Sequence, residues 1–112
     1  MSIIVKRGAS IEGCGPEILR AAILCEPLYK KYGLDLRITS GSEEYKHTAN
    51  RSAHYRGDAT DYGCKYVPKI DRPKLLKAIK RKLGPDFVVI HEGIGKSWEH
   101  FHIHWSPVFH SA

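Results

Sequence analysis

The segment His100-Phe101-His102-Ile103-His104-Trp105 constrains this chain more than any other six residues. Its polar and apolar residues alternate strictly, which is the period of a half-buried β-strand. The three imidazoles therefore share one face, and Phe101 and Ile103 share the other. Such a strand belongs in a sheet with an apolar core on one side only. Stacked imidazoles on the remaining face are costly to bury unless polar partners or a shared cation satisfy them. Seven histidines occur in the chain and five fall in its last 22 residues, so this kind of side chain is concentrated here.

The flanking sequence supplies the layer that such a sheet needs. Pro16 suits the first turn of a helix, and Ile18, Ala21, Ala22, Cys25 and Leu28 recur at helical spacing until Gly33, with Pro27 expected to break or kink the run. Residues 34–39 alternate like a strand and 59–66 suggest a second, with a polar loop over 42–57 between them. Asp71 is the expected N-cap of a helix that carries Leu75, Leu76, Ile79 and Leu83 and stops at Gly84-Pro85. Residues 87–90 read as a short buried strand. The fold class expected is α+β, a small, mostly antiparallel sheet with helices packed on one side, formed by residues 1–112 as a single domain.

Composition narrows the function classes. No apolar run approaches the roughly 20 residues that span a bilayer, and residues 1–7 lack the long apolar stretch of a signal peptide. Three cysteines without a CxxC pair point to reduced thiols in a protein made in the cytoplasm. The net charge of +6 is concentrated around residues 69–82, in a stretch that also reads as an amphipathic helix with a solvated basic face. No nucleic-acid-binding motif accompanies that charge, so no nucleic-acid partner is expected.

The residues that carry chemistry fall in two segments. In Ser52-Ala53-His54-Tyr55-Arg56-Gly57-Asp58-Ala59-Thr60-Asp61, a glycine turn separates His54 from Asp61 and lets both converge on one point. Two His and one Asp with a fourth position open is the ligand set of a catalytic zinc site. A nearby carboxylate would act as general base. Glu99 and Glu92 are the candidates, and His100, His102 and His104 compete for the third ligand position.

The pattern Ser52-x-His54-x-x-Gly57-x-Ala59-x-Asp61 resembles the SxHxxGxAxD motif of the zinc D-Ala-D-Ala carboxypeptidase family. That family includes L-alanyl-D-glutamate endopeptidases and shares its fold with the hedgehog signalling domain. Glu99-x-x-His102 is similar to its second motif, and Ile38-Thr39-Ser40-Gly41 resembles the strand end before the first; together they cover about residues 34–107. The resemblance implies one Zn2+ held by His54, Asp61 and His102, with Glu99 as catalytic base and Ser52 near the substrate. It departs where Ser42-Glu43-Glu44 replaces the Tyr-Arg-Ser often found in the family, so the substrate-binding arginine must come from elsewhere. Arg51 is one candidate, and His104 is another group able to contact the substrate or a developing oxyanion. The implied partner is the peptidoglycan stem peptide, cleaved by a monomeric, small phage-type enzyme, lytic or virion-associated. A non-catalytic zinc-binding interaction module of the same fold is the alternative.

Overall fold

A computed structural model describes residues 2–43, 54 and 57–107. The elements run β1 (Ile3–Val5), α1 (Pro16–Lys30), β2 (Leu36–Ser40), β3 (Ala59–Gly63), a single 3-10 turn (Lys69–Asp71), α2 (Arg72–Leu83), β4 (Phe87–Glu92) and β5 (His100–Trp105). The five strands form one sheet in the order β1-β2-β3-β5-β4. Among the described residues, only the β1–β2 pair is parallel; the other three are antiparallel. The chain is thus α+β, with a mostly antiparallel sheet and two helices. Among the described residues, no helix is long and apolar enough to cross a membrane.

Helix α1 buries Ile18, Ala21, Ala22, Cys25 and Tyr29, an apolar stripe at helical spacing. Pro27 does not break it, contrary to the sequence expectation. Pro27 and Ile23, four residues earlier, both lie on the exposed side, where water can satisfy the Ile23 carbonyl. The last turn is held from the other side. Tyr29 is fully buried, and its hydroxyl donates to the Gly63 carbonyl at 3.2 Å. That tertiary anchoring outweighs the roughly 3 kcal/mol that proline costs inside a helix.

The other differences from sequence are shifts of boundary. Leu34 closes the end of α1 by donating its N–H to the Tyr29 carbonyl, so β2 starts two residues later than expected. Strand β3 stops at Gly63, opposite the first residue of β5, and residues 64–67 turn away. Asp71 precedes α2 but makes no side-chain cap; the 3-10 turn leads into the helix instead. Strand β4 runs on to Glu92, because His91 and Glu92 still have partners in Phe101 and His100. The three-residue β1 had no clear sequence signal.

Both helices cover the same face of the sheet. Ile18, Cys25 and Tyr29 from α1 and Leu75 and Ile79 from α2 pack with Leu36, Ile38, Tyr62, Phe101 and Ile103. Strand parity then sends Asp61, His100, His102 and His104 to the opposite face. The histidine face expected from sequence exists, and it is turned away from the helices.

Candidate metal centre

Asp61 and His102 are directly paired across β3 and β5, which places their side chains side by side on the face opposite α1 and α2. His54 joins them from the preceding turn, where the Gly57 N–H donates to the His54 carbonyl at 3.0 Å. Gly57 has φ of 75°, and a Cβ there would lie 2.1 Å from the Gly13 carbonyl oxygen. Only glycine fits this turn, a physical reason for the glycine between His54 and Asp61.

The ligand atoms converge. His54 Nε2 lies 3.4 Å from Asp61 Oδ1, and His102 Nδ1 lies 3.0 Å from the same oxygen. One ligand atom from each of the three residues lies within 4.8 Å of the other two. Two ligands at zinc-like bond lengths of roughly 2.0–2.1 Å in a tetrahedron stand about 3.3 Å apart, so the spacing suits a shared ion. The second nitrogens are also committed. His54 Nδ1 donates to the Gly41 carbonyl at 2.9 Å, leaving Nε2 as its ligand atom. His102 Nε2 meets His104 Nδ1 at 3.1 Å. A metal-ligating imidazole characteristically has its other nitrogen held in this way. These buried groups could hold a metal ion.

Electrostatics follow the same geometry. Burial alone would push Asp61 up, but hydrogen bonds from His102 and His54 hold its carboxyl far below the usual range. For His54, burial favours the neutral ring, yet the Asp61 carboxylate outweighs it and raises the imidazole above its ordinary value. A concentrated negative charge among nitrogen donors is what a divalent cation replaces protons to meet.

The Gly41 carbonyl is itself set in place by Glu43, a residue sequence reasoning left without a role. The buried Glu43 carboxylate accepts from the Gly41 N–H at 2.7 Å, the Ser10 N–H at 2.8 Å and the Ser40 hydroxyl. Burial pushes its pKa up, but these bonds prevail and lower it. A Cβ on Gly41 would lie 2.0 Å from the Ser10 carbonyl oxygen, so glycine is required there too. Glutamate at this position had no sequence signal beyond its place after Ser40-Gly41.

Glu99, the expected base, lies elsewhere. It is three residues from His102, an odd separation that puts it with Phe101 on the helix-covered face. There it accepts from Arg72 Nη1 at 2.6 Å and from the Gly95 N–H at 3.2 Å, while its other oxygen bonds His91 Nε2 at 2.6 Å. Cys64 completes this cluster. Besides Asp61, the histidine face carries the carboxylate of Glu92, in register with His100 at the end of β4. Its Oε1 lies 2.9 Å from His100 Nε2, which is 3.5 Å from Asp61 Oδ2. Extending the 87–90 strand by two residues in sequence would have placed Glu92 on that face. Ser52 and Arg51 lie outside the described residues.

The three cysteines are free thiols, and burial pushes Cys25 and Cys64 up to about 12. Comparison with protein-family models and with curated proteins gives no match to this chain.

Proposed function

We propose that the chain is a zinc-dependent peptidase of the hedgehog-like fold, hydrolysing amide bonds in peptidoglycan stem peptides. The observation that carries this reading is the convergence of His54 Nε2, Asp61 Oδ1 and His102 Nδ1 on a point of zinc-like spacing. The order of residues around it supports the substrate class, since it follows the SxHxxGxAxD pattern. When bound, the ion supplies Lewis acidity, polarising the scissile carbonyl and acidifying water.

The chain's own groups do the rest. His54, Asp61 and His102 hold the ion, and Gly41 and His104 orient the two rings. Glu92 takes the base role in place of Glu99. Its side chain is 44% exposed, within hydrogen-bond reach of His100 and adjacent to Asp61. A base must reach both solvent and the ligand cluster, and Glu99, locked between Arg72 and His91, reaches neither. His100 is fixed by its Nδ1–H donating to the Trp98 carbonyl at 2.8 Å, so its Nε2 stays aimed at Glu92. His100 is then the group that receives or returns a proton beside the base. The displaced Glu99 favours the alternative reading, a zinc-binding interaction module without catalysis, and one variant pair separates the two.

Purified peptidoglycan is digested with the zinc-loaded protein and the fragments are identified by mass spectrometry. Glu92→Gln is expected to retain zinc and lose about 10²-fold or more in turnover, while Glu99→Gln retains turnover at temperatures where it is folded. No released stem-peptide fragments from the wild-type protein would establish the interaction module instead.

A further inference from the structure

Helix α2 carries six of the chain's 18 cationic residues and no acidic one. The remaining 12 cations are balanced by 12 carboxylates, so the whole net charge of +6 resides in this one element. Arg72 turns inward to Glu99. The other five, Lys74, Lys77, Lys80, Arg81 and Lys82, are exposed. Among the described residues, no ion pair joins any of these five to a carboxylate. At 100° per residue, Lys74, Lys77, Lys80 and Arg81 fall within an arc of about 120°, along about 10 Å of helix. Like charges packed this closely repel one another and destabilise the helix. A row of this kind is matched by a linear polyanion, whose counterions it releases on binding.

We propose that the exposed face of α2 binds a flexible phosphodiester polymer that lacks bases, of the poly(glycerol phosphate) type found in cell walls. The composition of the face selects among polyanions. Its exposed positions are the five cations and Pro73, so it offers no aromatic platform for the base stacking that single-stranded nucleic acids use. The apolar stripe of the helix, Leu75 and Ile79, is already spent in the core and is not free to insert into a bilayer. The face lies on the helix side of the sheet and the candidate metal centre on the other, so a bound polymer leaves the metal centre clear. The proposal stands independently of the peptidase reading.

The test uses the full chain and fluorescently labelled poly(glycerol phosphate), with oligo-dT and anionic phosphatidylglycerol vesicles as rival ligands. Four phosphate contacts on a flexible strand correspond to a roughly fifty-fold loss of affinity between 50 and 200 mM salt. The variant Lys74→Gln/Lys77→Gln/Lys80→Gln/Arg81→Gln is expected to lose most of the binding and the salt dependence, with circular dichroism and metal content unchanged. A reduced set, Lys77→Gln/Arg81→Gln, gives an intermediate salt slope if the larger set unfolds. Equal affinity in wild-type and variant proteins overturns the proposal. Tighter binding to oligo-dT or to vesicles than to poly(glycerol phosphate) overturns it as well, by moving the occupant to another class.

Discussion

Two polar clusters sit back to back on either side of β5, built from nearly the same residue types. On the face opposite α1 and α2, His54, Asp61 and His102 converge with separations of 3.0 and 3.4 Å to one carboxylate oxygen. On the helix-covered face, Cys64, His91 and Glu99 also lie within 4.8 Å of one another. The difference is in what already fills the gap. Glu99 makes two contacts of 2.6 Å, one of them to the permanent cation Arg72, so its charge is neutralised by the protein. The Cys64 thiol is held in its neutral form by burial, with the Glu99 carboxylate adding to the effect. Among the described residues, the ion pairs of Asp61 are all to imidazoles, those of His54, His100 and His102, and none is to an arginine or lysine. Donor type alone does not separate the two clusters; the fixed cation that already pairs with Glu99 does.

The largest expected effect tests that contrast directly. Wild-type protein is expected to bind one zinc per chain by mass spectrometry under native conditions, and His54→Ala, Asp61→Ala or His102→Ala to reduce this to almost none. Cys64→Ser is expected to keep the full equivalent. Two ions in the wild type, with the second lost in Cys64→Ser, would make the helix-side cluster a metal site as well and remove the difference between the two faces.

Next in size is the stability held by the helix-side cluster. Removing the Glu99 carboxylate leaves Arg72 buried without its partner, and Glu99→Ala is expected to cost about 3 kcal/mol in urea denaturation, the cost typical of breaking a buried ion pair. Its zinc content should not change. A loss below about 1 kcal/mol would show the pair to be no better than a surface salt bridge.

The same carboxylate gives a pH dependence of known sign. Burial raises the Glu99 pKa, but the His91 contact, the Gly95 N–H and Arg72 more than reverse this, and the folded-state value lies below the ordinary one. A depressed carboxylate contributes stability above its unfolded pKa and loses it as pH falls through the folded value. Stability is therefore expected to decline below about pH 5, and Glu99→Gln to flatten part of that slope. An equally steep acid limb in Glu99→Gln would assign the loss to other carboxylates, Glu43 and Asp61 among them.

The contrast also marks how far the sequence could be read. Strict alternation in residues 100–105 was enough to place three imidazoles on one face, and the glycine turn was enough to bring His54 towards Asp61. Both are local rules, and both describe the structure. The carboxylate beside His100 was not legible, because its placement depends on strand length and pairing. With β4 ended at Ile90, Glu92 had no face, and spacing from His102 pointed to Glu99. Pro27 failed as a helix breaker for a similar reason: the burial of Tyr29 is a tertiary fact that no helix-period count contains. Glu43 is the third case, a carboxylate whose partners at Ser10 and Gly41 are remote or backbone groups.

The smallest effect concerns His104, which sequence left open as a ligand or a substrate contact. Its Nδ1 lies 3.1 Å from His102 Nε2, and the Asp61 oxygen meets the other nitrogen of His102. With a neutral His102 and no ion, an Nδ1–H donating to Asp61 would leave Nε2 to accept from His104 Nδ1–H. With His102 Nδ1 serving as a ligand, its proton must sit on Nε2 and His104 Nδ1 must become the acceptor. Both rings would then change tautomer together, which would couple His104 to a bound ion through His102. His104→Ala is expected to weaken zinc affinity about tenfold, measured by competition with a chelator, and to leave one zinc per chain at saturation. Replacement by Gln, which can accept through its amide oxygen, should recover part of the loss. If His104→Ala binds no zinc at all while His102→Ala keeps it, the ligand is His104, and the pairing of Asp61 with His102 across the two strands has another role.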